Sequence, residues 1–310
     1  MRIIAGDIGG TKTLLQLVEV TESARTVIAE RRYESGKFAS FDALLRDFIA
    51  PGAVIDAACF AVAGPVLDER AEVTNLKWKM ESAALQHDFA IGRVALINDF
   101  YAVAVGVPIL APGDRLVLQE GIRQPHSPIA ILGAGTGLGQ AFLTWSEGQW
   151  QVLPSEGGHA DFAPQDELQC RLMLSLIERY GHASWERVCS GMGLANIFAF
   201  LGGEKADPAA IAAMANRNEQ PAKQAMEIFV DIYGSEAGNM ALRVLSRGGV
   251  YLAGGIAAKN AAHFTGGRFM TAFLRKGRFR ELLQAMPVEI ITNEKVGLLG
   301  AVEMARRLGG

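Results

Sequence analysis

One pattern, a short apolar segment followed by a glycine-rich turn and a second apolar segment, occurs twice in this chain of 310 residues. In the first copy, residues 2–5 lead into a turn that begins at Gly6-Asp7, and residues 13–20 follow. In the second copy, residues 128–132 lead into a turn that begins at Gly133, and residues 140–145 follow. Apolar segments this short, bounded by glycines, are typical of buried strands, so each turn is predicted to join two antiparallel strands. The repeat predicts two domains of similar topology that face one another.

A third glycine-rich stretch lies at residues 248–256, where a short apolar strand again precedes a glycine pair. Four stretches with helical spacing of apolar residues lie between or beyond these landmarks, at 41–50, 166–180, 221–246 and 296–308. Because strands alternate with helices along the chain, the predicted fold class is α/β.

Charge and apolar patterning exclude several classes of protein. The net charge is -3, and no long block of one sign of charge offers a footprint for nucleic acid or an anionic membrane. No apolar run approaches the roughly 20 residues that span a bilayer, and the N-terminus lacks the apolar region of a signal peptide. We therefore expect a cytoplasmic protein with no membrane or nucleic acid partner. The three cysteines are widely spaced, so no zinc is expected.

The two glycine turns suit a bound phosphate chain, because glycine lets backbone N–H groups approach a ligand closely. Thr11 and Thr136 add hydroxyl donors, and Asp7 is placed to reach a magnesium ion directly or through water. A tight hairpin without a ligand is the alternative reading of either turn alone. Neither turn has the spacing of a P-loop or of a dinucleotide-binding fingerprint.

Polar residues follow short apolar or glycine-rich segments at three further places. Asn98 and Asp99 end the strand predicted at 94–97, Glu156 and His159 flank a glycine pair, and Glu186 precedes a Ser-Gly pair. Taken singly, Asn98-Asp99 is also the pattern of a turn or helix cap, and Glu186 that of an exposed helix residue. Sugar hydroxyls both donate and accept hydrogen bonds, so carboxylate, amide and imidazole groups suit them.

Together these segments resemble the bacterial glucokinase family of the actin-like ATPase superfamily. The matching segments run in family order along nearly the whole chain: Gly6-Asp7-Ile8-Gly9-Gly10-Thr11, Thr74-Asn75 with Trp78, Ile97-Asn98-Asp99-Phe100, Gly133-Ala134-Gly135-Thr136-Gly137-Leu138-Gly139, Glu156-Gly157-Gly158-His159 with Asp161-Phe162-Ala163-Pro164, Glu186-Arg187-Val188, Ala253-Gly254-Gly255-Ile256 and Gly297-Leu298-Leu299-Gly300.

The resemblance implies two ribonuclease-H-like domains around a central cleft, with residues 1–108 and 297–310 forming the small domain and 109–296 the large one. It implies ATP-dependent phosphorylation of glucose at the 6-hydroxyl, giving glucose 6-phosphate, by a homodimer that needs Mg²⁺. Asp99 is the implied general base, and the sugar is held by Asn98, Asp99, Glu156, His159 and Glu186.

The resemblance also implies a nucleotide site. Its expected members are Asp7, which also reaches the Mg²⁺, and Gly9, Gly10, Thr11, Lys12, Gly133, Gly135, Thr136, Gly137, Gly254 and Gly255. Lys12 departs from the Asn expected in many close relatives, so the role of its side chain stays open.

Alternatives remain at this point. The preferred hexose could be fructose or mannose, and a sugar-sensing regulator would keep the sugar residues without catalysis. An actin-like filament or chaperone ATPase would use the same glycine turns but has no need of Asn98-Asp99, Glu156 and His159. The related repressor–kinase family often has Lys at the Lys12 position, but it carries a cysteine-rich zinc segment, whereas here only Cys170 follows the sugar-site histidine.

Overall fold

The computed structural model describes residues 1–21, 24–73 and 76–310, so Thr74-Asn75 of the family-like motif lies outside the described residues. The strands are β1 (Arg2–Ile8), β2 (Lys12–Val20), β3 (Arg25–Glu34), β4 (Ile55–Val62), β5 (Val66–Leu67), β6 (Arg70–Glu72), β7 (Lys79–Glu81), β8 (Ile91–Asn98), β9 (Arg115–Gln119), β10 (Ile129–Ala134), β11 (Leu138–Ser146), β12 (Gln149–Ser155), β13 (Gly249–Ala253) and β14 (Val288–Ile291). The helices are α1 (Phe41–Phe48), α2 (Ser82–Phe89), α3 (Asp99–Gly106), α4 (Glu167–Tyr180), α5 (Gly191–Phe200), α6 (Pro208–Asn216), α7 (Ala222–Val244), α8 (Gly255–Lys259), α9 (Ala261–Thr265), α10 (Arg268–Phe273), α11 (Arg280–Gln284) and α12 (Val296–Gly309).

The residues fall into two compact units. Unit 1 comprises Met1–Leu110 with Lys295–Gly310, and unit 2 comprises Ala111–Glu294. The domain boundaries expected near 109 and 297 stay a prediction. The four helices predicted from apolar spacing are present as α1, α4, α7 and α12. Both glycine turns join antiparallel strands, as predicted.

Unit 1 is built on a five-stranded sheet of order β3-β2-β1-β4-β8. The pairs β3–β2 and β2–β1 are antiparallel, whereas β1, β4 and β8 run parallel to one another. Both faces of β4 are buried, since Phe60 packs with Phe41 on one face and Ala57 packs near Leu298 on the other. Burial on both faces explains why β4 is continuously apolar from Ala57 to Val62.

Helix α12 packs closely on α3 in unit 1. Gly106 and Gly300 make this approach feasible, because a methyl group on either would overlap a carbonyl oxygen of the facing helix. The apolar residues Leu298, Ala301 and Ala305 of α12 are buried against the sheet. The C-terminal residues are therefore part of the core of unit 1.

Glu303 of α12 is a buried carboxylate surrounded by arginines. Its oxygens accept from Arg25 at 2.6 Å, Arg306 at 2.8 Å and Arg307 at 3.0 Å. Burial alone raises the pKa of this carboxyl, but the hydrogen bonds and charges of the arginines prevail and hold the pKa at about 2. The Glu303 side chain is 6% exposed, whereas the arginine side chains are 29% to 41% exposed, so solvent screens these contacts only in part.

Glu303→Gln is expected to lower the free energy of unfolding at pH 7 by about 3 kcal/mol, because it leaves the arginines without their counter-charge. The contribution of Glu303 is complete above pH 4.5, its ordinary pKa, and is lost as the pH falls towards 2. Urea unfolding at pH 7 and pH 3 measures both effects. Glu19→Gln is the control, since Glu19 and Arg2 form an exposed pair at 3.5 Å. Equal losses in both variants would contradict the prediction.

Unit 2 repeats this arrangement with the sheet order β12-β11-β10-β13-β14-β9. Three antiparallel strands again precede the parallel pairs β10–β13 and β13–β14. Helix α7 is buried over most of its surface, which explains its apolar sequence on several faces. Its Tyr233 accepts a hydrogen bond from Ala134 N at 3.1 Å, directly before the second glycine turn.

Within the part of the chain that the structure describes, no helix combines the length and the apolar character required to cross a membrane.

Candidate functional site

The register of the unit 1 sheet brings two distant carboxylates to one edge. Asp7 of β1 is level with Ala61 of β4, which is level with Ile97 of β8. Only β4 separates the two outer strand ends, and Asp99 directly follows β8. Because all three strands are parallel, their carboxyl ends coincide at the edge where α/β proteins bind ligands.

Asn98 and Asp99 form the start of α3. The Asn98 side-chain oxygen accepts from Phe100 N at 2.9 Å and Tyr101 N at 3.1 Å, which caps the helix. Its amide nitrogen donates to Asp99 Oδ1 at 3.0 Å and to Gly64 O at 3.2 Å. The helix-cap reading is thus correct for Asn98, and the cap also sets the orientation of the neighbouring carboxylate.

Burial changes the proton affinity of both carboxylates. It is the main cause that raises the pKa of Asp7 to about 6, and the nearby charge of Asp99 adds to the effect. Burial also raises the pKa of Asp99, although hydrogen bonds from Phe100 N and Asn98 partly oppose the change. Two adjacent carboxyls with raised pKa values can accept a proton or share a cation, and such perturbed groups are common at functional sites.

The first glycine turn is held by a buried serine that sequence reasoning missed. Ser35 Oγ donates to Gly9 O at 2.7 Å, and Ser35 N donates to Thr11 O at 3.1 Å. Thr13 Oγ1 lies 3.0 Å from Ser35 Oγ, and both residues are fully buried. The side chains of Thr11 and Lys12 are exposed, whereas Gly9 and Gly10 are half-buried. No local pattern marks Ser35, because its role depends on the pairing of β2 with β3.

The second glycine turn is closed by a hydrogen bond within itself and is held by the start of α5. Gly135 N donates to Gly137 O at 2.9 Å, and Gly135 O accepts from Gly191 N, the first residue of α5, at 2.8 Å. Thr136 is exposed at the tip. Gly133 lies within β10, level with Gly139 of β11 and with Ala253 of β13.

The glycine pair after β13 lies beside this second turn. Gly254 has a φ of +82°, and a methyl group there would overlap the backbone of Ala134. Both constraints require glycine at this position. Gly255 then begins α8. The strand register therefore brings together the glycines at 133–137 and 254–255.

Glu156 and His159 lie at the two ends of a short 3-10 turn, Gly157–His159. Their side chains are 94% and 64% exposed, and the His159 Nε2 to Glu156 Oε2 distance is 3.8 Å. Glu186 N donates to Gly158 O at 2.8 Å, which fixes the Glu186 backbone against this turn. The structure thus brings Glu156, His159 and Glu186 together within unit 2.

Glu186 is half-buried in a turn, so its interpretation as an exposed helix residue is wrong. Its Oε2 accepts from Leu138 N at 3.0 Å, and a methyl group on Gly137 would overlap that oxygen. Ser190 Oγ donates to Glu186 O at 2.7 Å and accepts from Gly193 N at 3.0 Å, which caps α5. The Glu186 carboxylate is therefore held by the second glycine turn itself. Ser190 was missed as a support, although a serine before a helix start is a recognisable cap signal.

The chain matches known proteins over nearly its full length and theirs. The family model described as Glucokinase matches residues 4–308. A glucokinase of Nostoc sp. is 42% identical in an alignment that covers 99% of each chain. The crystal structure of a glucokinase from an Antarctic psychrotroph superposes with a TM-score of 0.91 at 29% identity, covering 99% of each chain. A ROK family glucokinase from Streptomyces griseus, in complex with glucose and AMPPNP, superposes with a TM-score of 0.64 at 20% identity, covering 99% of this chain and 100% of that one.

The repeated sheet order, the glycine turns and these structural matches define an α/β protein with the actin-like ATPase fold of the sugar kinases. The fold class predicted from the sequence is therefore confirmed. The family match extends over almost every residue and is supported by relatives well above 30% identity. The chain belongs to the glucokinase family, which confirms the resemblance first indicated by its motifs.

Proposed function

We propose that this protein transfers the terminal phosphate of ATP to the 6-hydroxyl of glucose, releasing ADP and glucose 6-phosphate. Family membership supports the reaction, and the Streptomyces griseus relative that holds glucose and AMPPNP supports the pair of substrates. The observation that carries the proposal is the half-buried Asp99 carboxylate, with its raised pKa, at the sheet edge beside Asp7.

Asp99 acts as the general base in this proposal. As a bond forms between the sugar oxygen and the terminal phosphorus, the bond from phosphorus to the bridging oxygen of ADP breaks, and the hydroxyl proton passes to Asp99. A raised pKa suits this role, because a base with pKa nearer the working pH accepts a proton more readily. The hydrogen bonds from Phe100 N and Asn98 hold the carboxylate in one orientation.

Asn98, Asp99, Glu156, His159 and Glu186 are proposed to hold the sugar. The exposed carboxylate of Glu156 and imidazole of His159 are free to rotate towards hydroxyl groups, and Glu186 is fixed by Leu138 N. Acceptors and donors of these types match hydroxyls, which need both.

The glycines and Thr11 and Thr136 of the two turns are proposed to bind phosphates through backbone N–H and hydroxyl groups, with Gly254-Gly255 beside the adenosine. Lys12 is exposed at the end of the first turn, where an ammonium group would complement a phosphate. These roles follow from the family motifs and from the backbone geometry of each turn.

The half-buried carboxylate of Asp7 suits a magnesium ion. Mg²⁺ is usually held by one or two carboxylates together with waters and substrate phosphates, and a half-buried carboxylate with a raised pKa gains from a nearby cation. Asp7 is the proposed ligand, directly or through water. When bound, the ion neutralises charge on the phosphates.

A coupled assay of ADP release with purified protein tests the proposal across glucose, fructose and mannose, and with ATP, ADP or polyphosphate as donor. We expect glucose with ATP and Mg²⁺ to give the highest kcat/KM. Preference for another hexose would revise the substrate, and glucose binding without turnover would favour a sugar-sensing regulator.

Family resemblance also supports a cytoplasmic homodimer. Sedimentation velocity tests the dimer, and cell fractionation tests the location.

Gly137→Ala is expected to raise the glucose KM by about 10-fold or more, because the added methyl displaces the Glu186 carboxylate. Gly135→Ala is the matched control, since a methyl group there meets nothing within 4 Å. Steady-state kinetics with each substrate varied in turn separates sugar from nucleotide effects. A Gly137→Ala variant with an unchanged glucose KM would contradict the proposed role of Glu186.

A further inference from the structure

A fully buried carboxylate lies in the middle of α7. Glu236 is 0% exposed. Its Oε1 accepts from Arg243 Nη1 at 2.8 Å and from Gln140 Nε2 at 3.0 Å, and its Oε2 accepts from Asn239 Nδ2 at 2.9 Å. Burying such a network is costly unless its members are satisfied, and removing one partner leaves a penalty. Three partners make Glu236 a rigid anchor point inside unit 2.

Gln140 of β11 connects this anchor to the surface turn that carries Glu156 and His159. Gln140 is 2% exposed, and its donation to Glu236 fixes which way the amide points. Its Oε1 therefore points away from Glu236. Among the described residues, no donor reaches this oxygen.

The Gln140 oxygen lies against Gly157. A methyl group on Gly157 would overlap Gln140 Oε1 and would lie 3.0 Å from Ser155 Oγ. Ser155 is level with Gln140 across the β11–β12 pair, and its hydroxyl accepts from Gly157 N at 3.0 Å. Gly157 thus packs on the Gln140 amide on one side and hydrogen-bonds Ser155 on the other.

Gly157 is the residue through which this packing reaches the sugar-binding groups. Glu156 precedes it, and His159 N donates to Glu156 O at 2.9 Å, which closes the turn. Gly158 O accepts from Glu186 N at 2.8 Å, so the position of the turn also affects Glu186. The side chains of Glu156 and His159 are largely exposed, and their positions depend on the backbone beneath them.

We propose that Gln140 and Glu236 are positioning residues, which hold the Glu156–His159 turn in its sugar-binding conformation from inside the unit 2 core. The inference rests on the proposed function for the role of the turn, but not for the contacts. The packing of Gln140 Oε1 on Gly157 and the hydrogen bond to Glu236 give both buried polar groups a role that an apolar pair of the same volume would lack. Neither residue touches substrate in this proposal.

Gln140→Met tests the proposal, because Met has a similar volume and cannot hydrogen-bond Glu236. We expect the glucose KM to rise by about 10-fold, with kcat changed by less than about 3-fold and the ATP KM unchanged. Glu236→Gln keeps the shape and should give a smaller rise in the same direction. It serves as the second variant if Gln140→Met does not fold.

Glu289→Gln is the matched control. Glu289 is also a buried carboxylate, paired with Arg115 at 3.1 Å and Arg123 at 3.0 Å, but it lies on β14, three strands from β11. A rise in glucose KM of equal size in this control would show general destabilisation and overturn the proposal. So would an unchanged glucose KM in folded Gln140→Met.

Amide hydrogen exchange without substrate gives a readout independent of activity. In Gln140→Met, exchange at Gly157, His159, Ala160 and Glu186 should be faster than in the original chain, whereas Glu289→Gln should leave it unchanged. If the original chain showed no glucose-dependent ADP release, the proposed function would fail, but this exchange comparison would still decide the positioning role. Unchanged exchange in Gln140→Met would reject it.

Discussion

Asp99→Asn is expected to lower kcat by about 10²–10⁴-fold while glucose still binds, because the amide cannot take the hydroxyl proton. The substitution keeps an oxygen that accepts from Phe100 N and Asn98 Nδ2, so the start of α3 should be preserved. Steady-state kinetics gives kcat, and isothermal titration calorimetry gives the glucose Kd, which we expect to change by less than about 10-fold.

Asp42→Asn is the control for this loss of charge. Asp42 occupies the first turn of α1, as Asp99 occupies the first turn of α3, so both variants remove an acid from a helix N-terminus. The control should keep its kcat. Near-normal turnover in Asp99→Asn would remove Asp99 from the role of base, whereas loss of glucose binding with loss of folding would point to a structural role.

Asp7→Asn is expected to make the protein more stable and less active at once. The pKa of Asp7 is about 6 in the folded chain against an ordinary 3.8, so ionisation at neutral pH opposes folding by about 3 kcal/mol. The stability associated with neutral Asp7 is complete below pH 3.8 and is lost as the pH rises through 6. The amide escapes this loss, so the stability gain should be largest at pH 8 and vanish towards pH 4.

Asp7→Asn should also change how the reaction depends on the Mg²⁺ concentration. Removing the Asp7 carboxylate should weaken the apparent Mg²⁺ affinity by about 10–100-fold, seen when kcat/KM is measured against Mg²⁺ concentration. Urea unfolding at pH 4, 6 and 8 measures the change in the free energy of unfolding, with Asp42→Asn again as control. A variant that is less stable at pH 8, or one with an unchanged Mg²⁺ requirement, would contradict the assignment. We therefore expect Asp7→Asn to be more stable and less active than the original chain, because the ionised carboxylate that serves activity opposes folding.

Local patterns were sufficient for much of the fold. Glycines after short apolar runs predicted both antiparallel hairpins, and the helical spacing of apolar residues predicted α1, α4, α7 and α12. These features depend on residues close together in the chain, since the spacing of apolar residues and the residue types of a turn are local properties. Helix α3 was not predicted, because after Asp99 its residues are almost all apolar, with no polar face to give a helical period, and it ends at Gly106.

Contacts between distant segments could not be predicted in the same way. Ser35 supports the first glycine turn only because β3 pairs with β2, and Glu186 meets Leu138 N only because its loop folds back over the second turn. The pattern around Glu186 indicated an exposed helix residue, whereas in the structure Glu186 lies in a turn and its backbone N donates to Gly158 O. Hydrogen bonds between such distant residues produce no periodic pattern in the sequence.

By itself, the sequence determined the α/β class, the strand–turn–strand repeat and the set of polar residues that identify the glucokinase family. Tertiary structure alone decided that Asp7 and Asp99 share one sheet edge, because that depends on the register of three parallel strands. It also decided that Gln140 and Glu236 lie beneath the Glu156–His159 turn. A buried polar contact requires both partners to be placed by the packing of the whole unit, whereas a turn or a helix is encoded by adjacent residues.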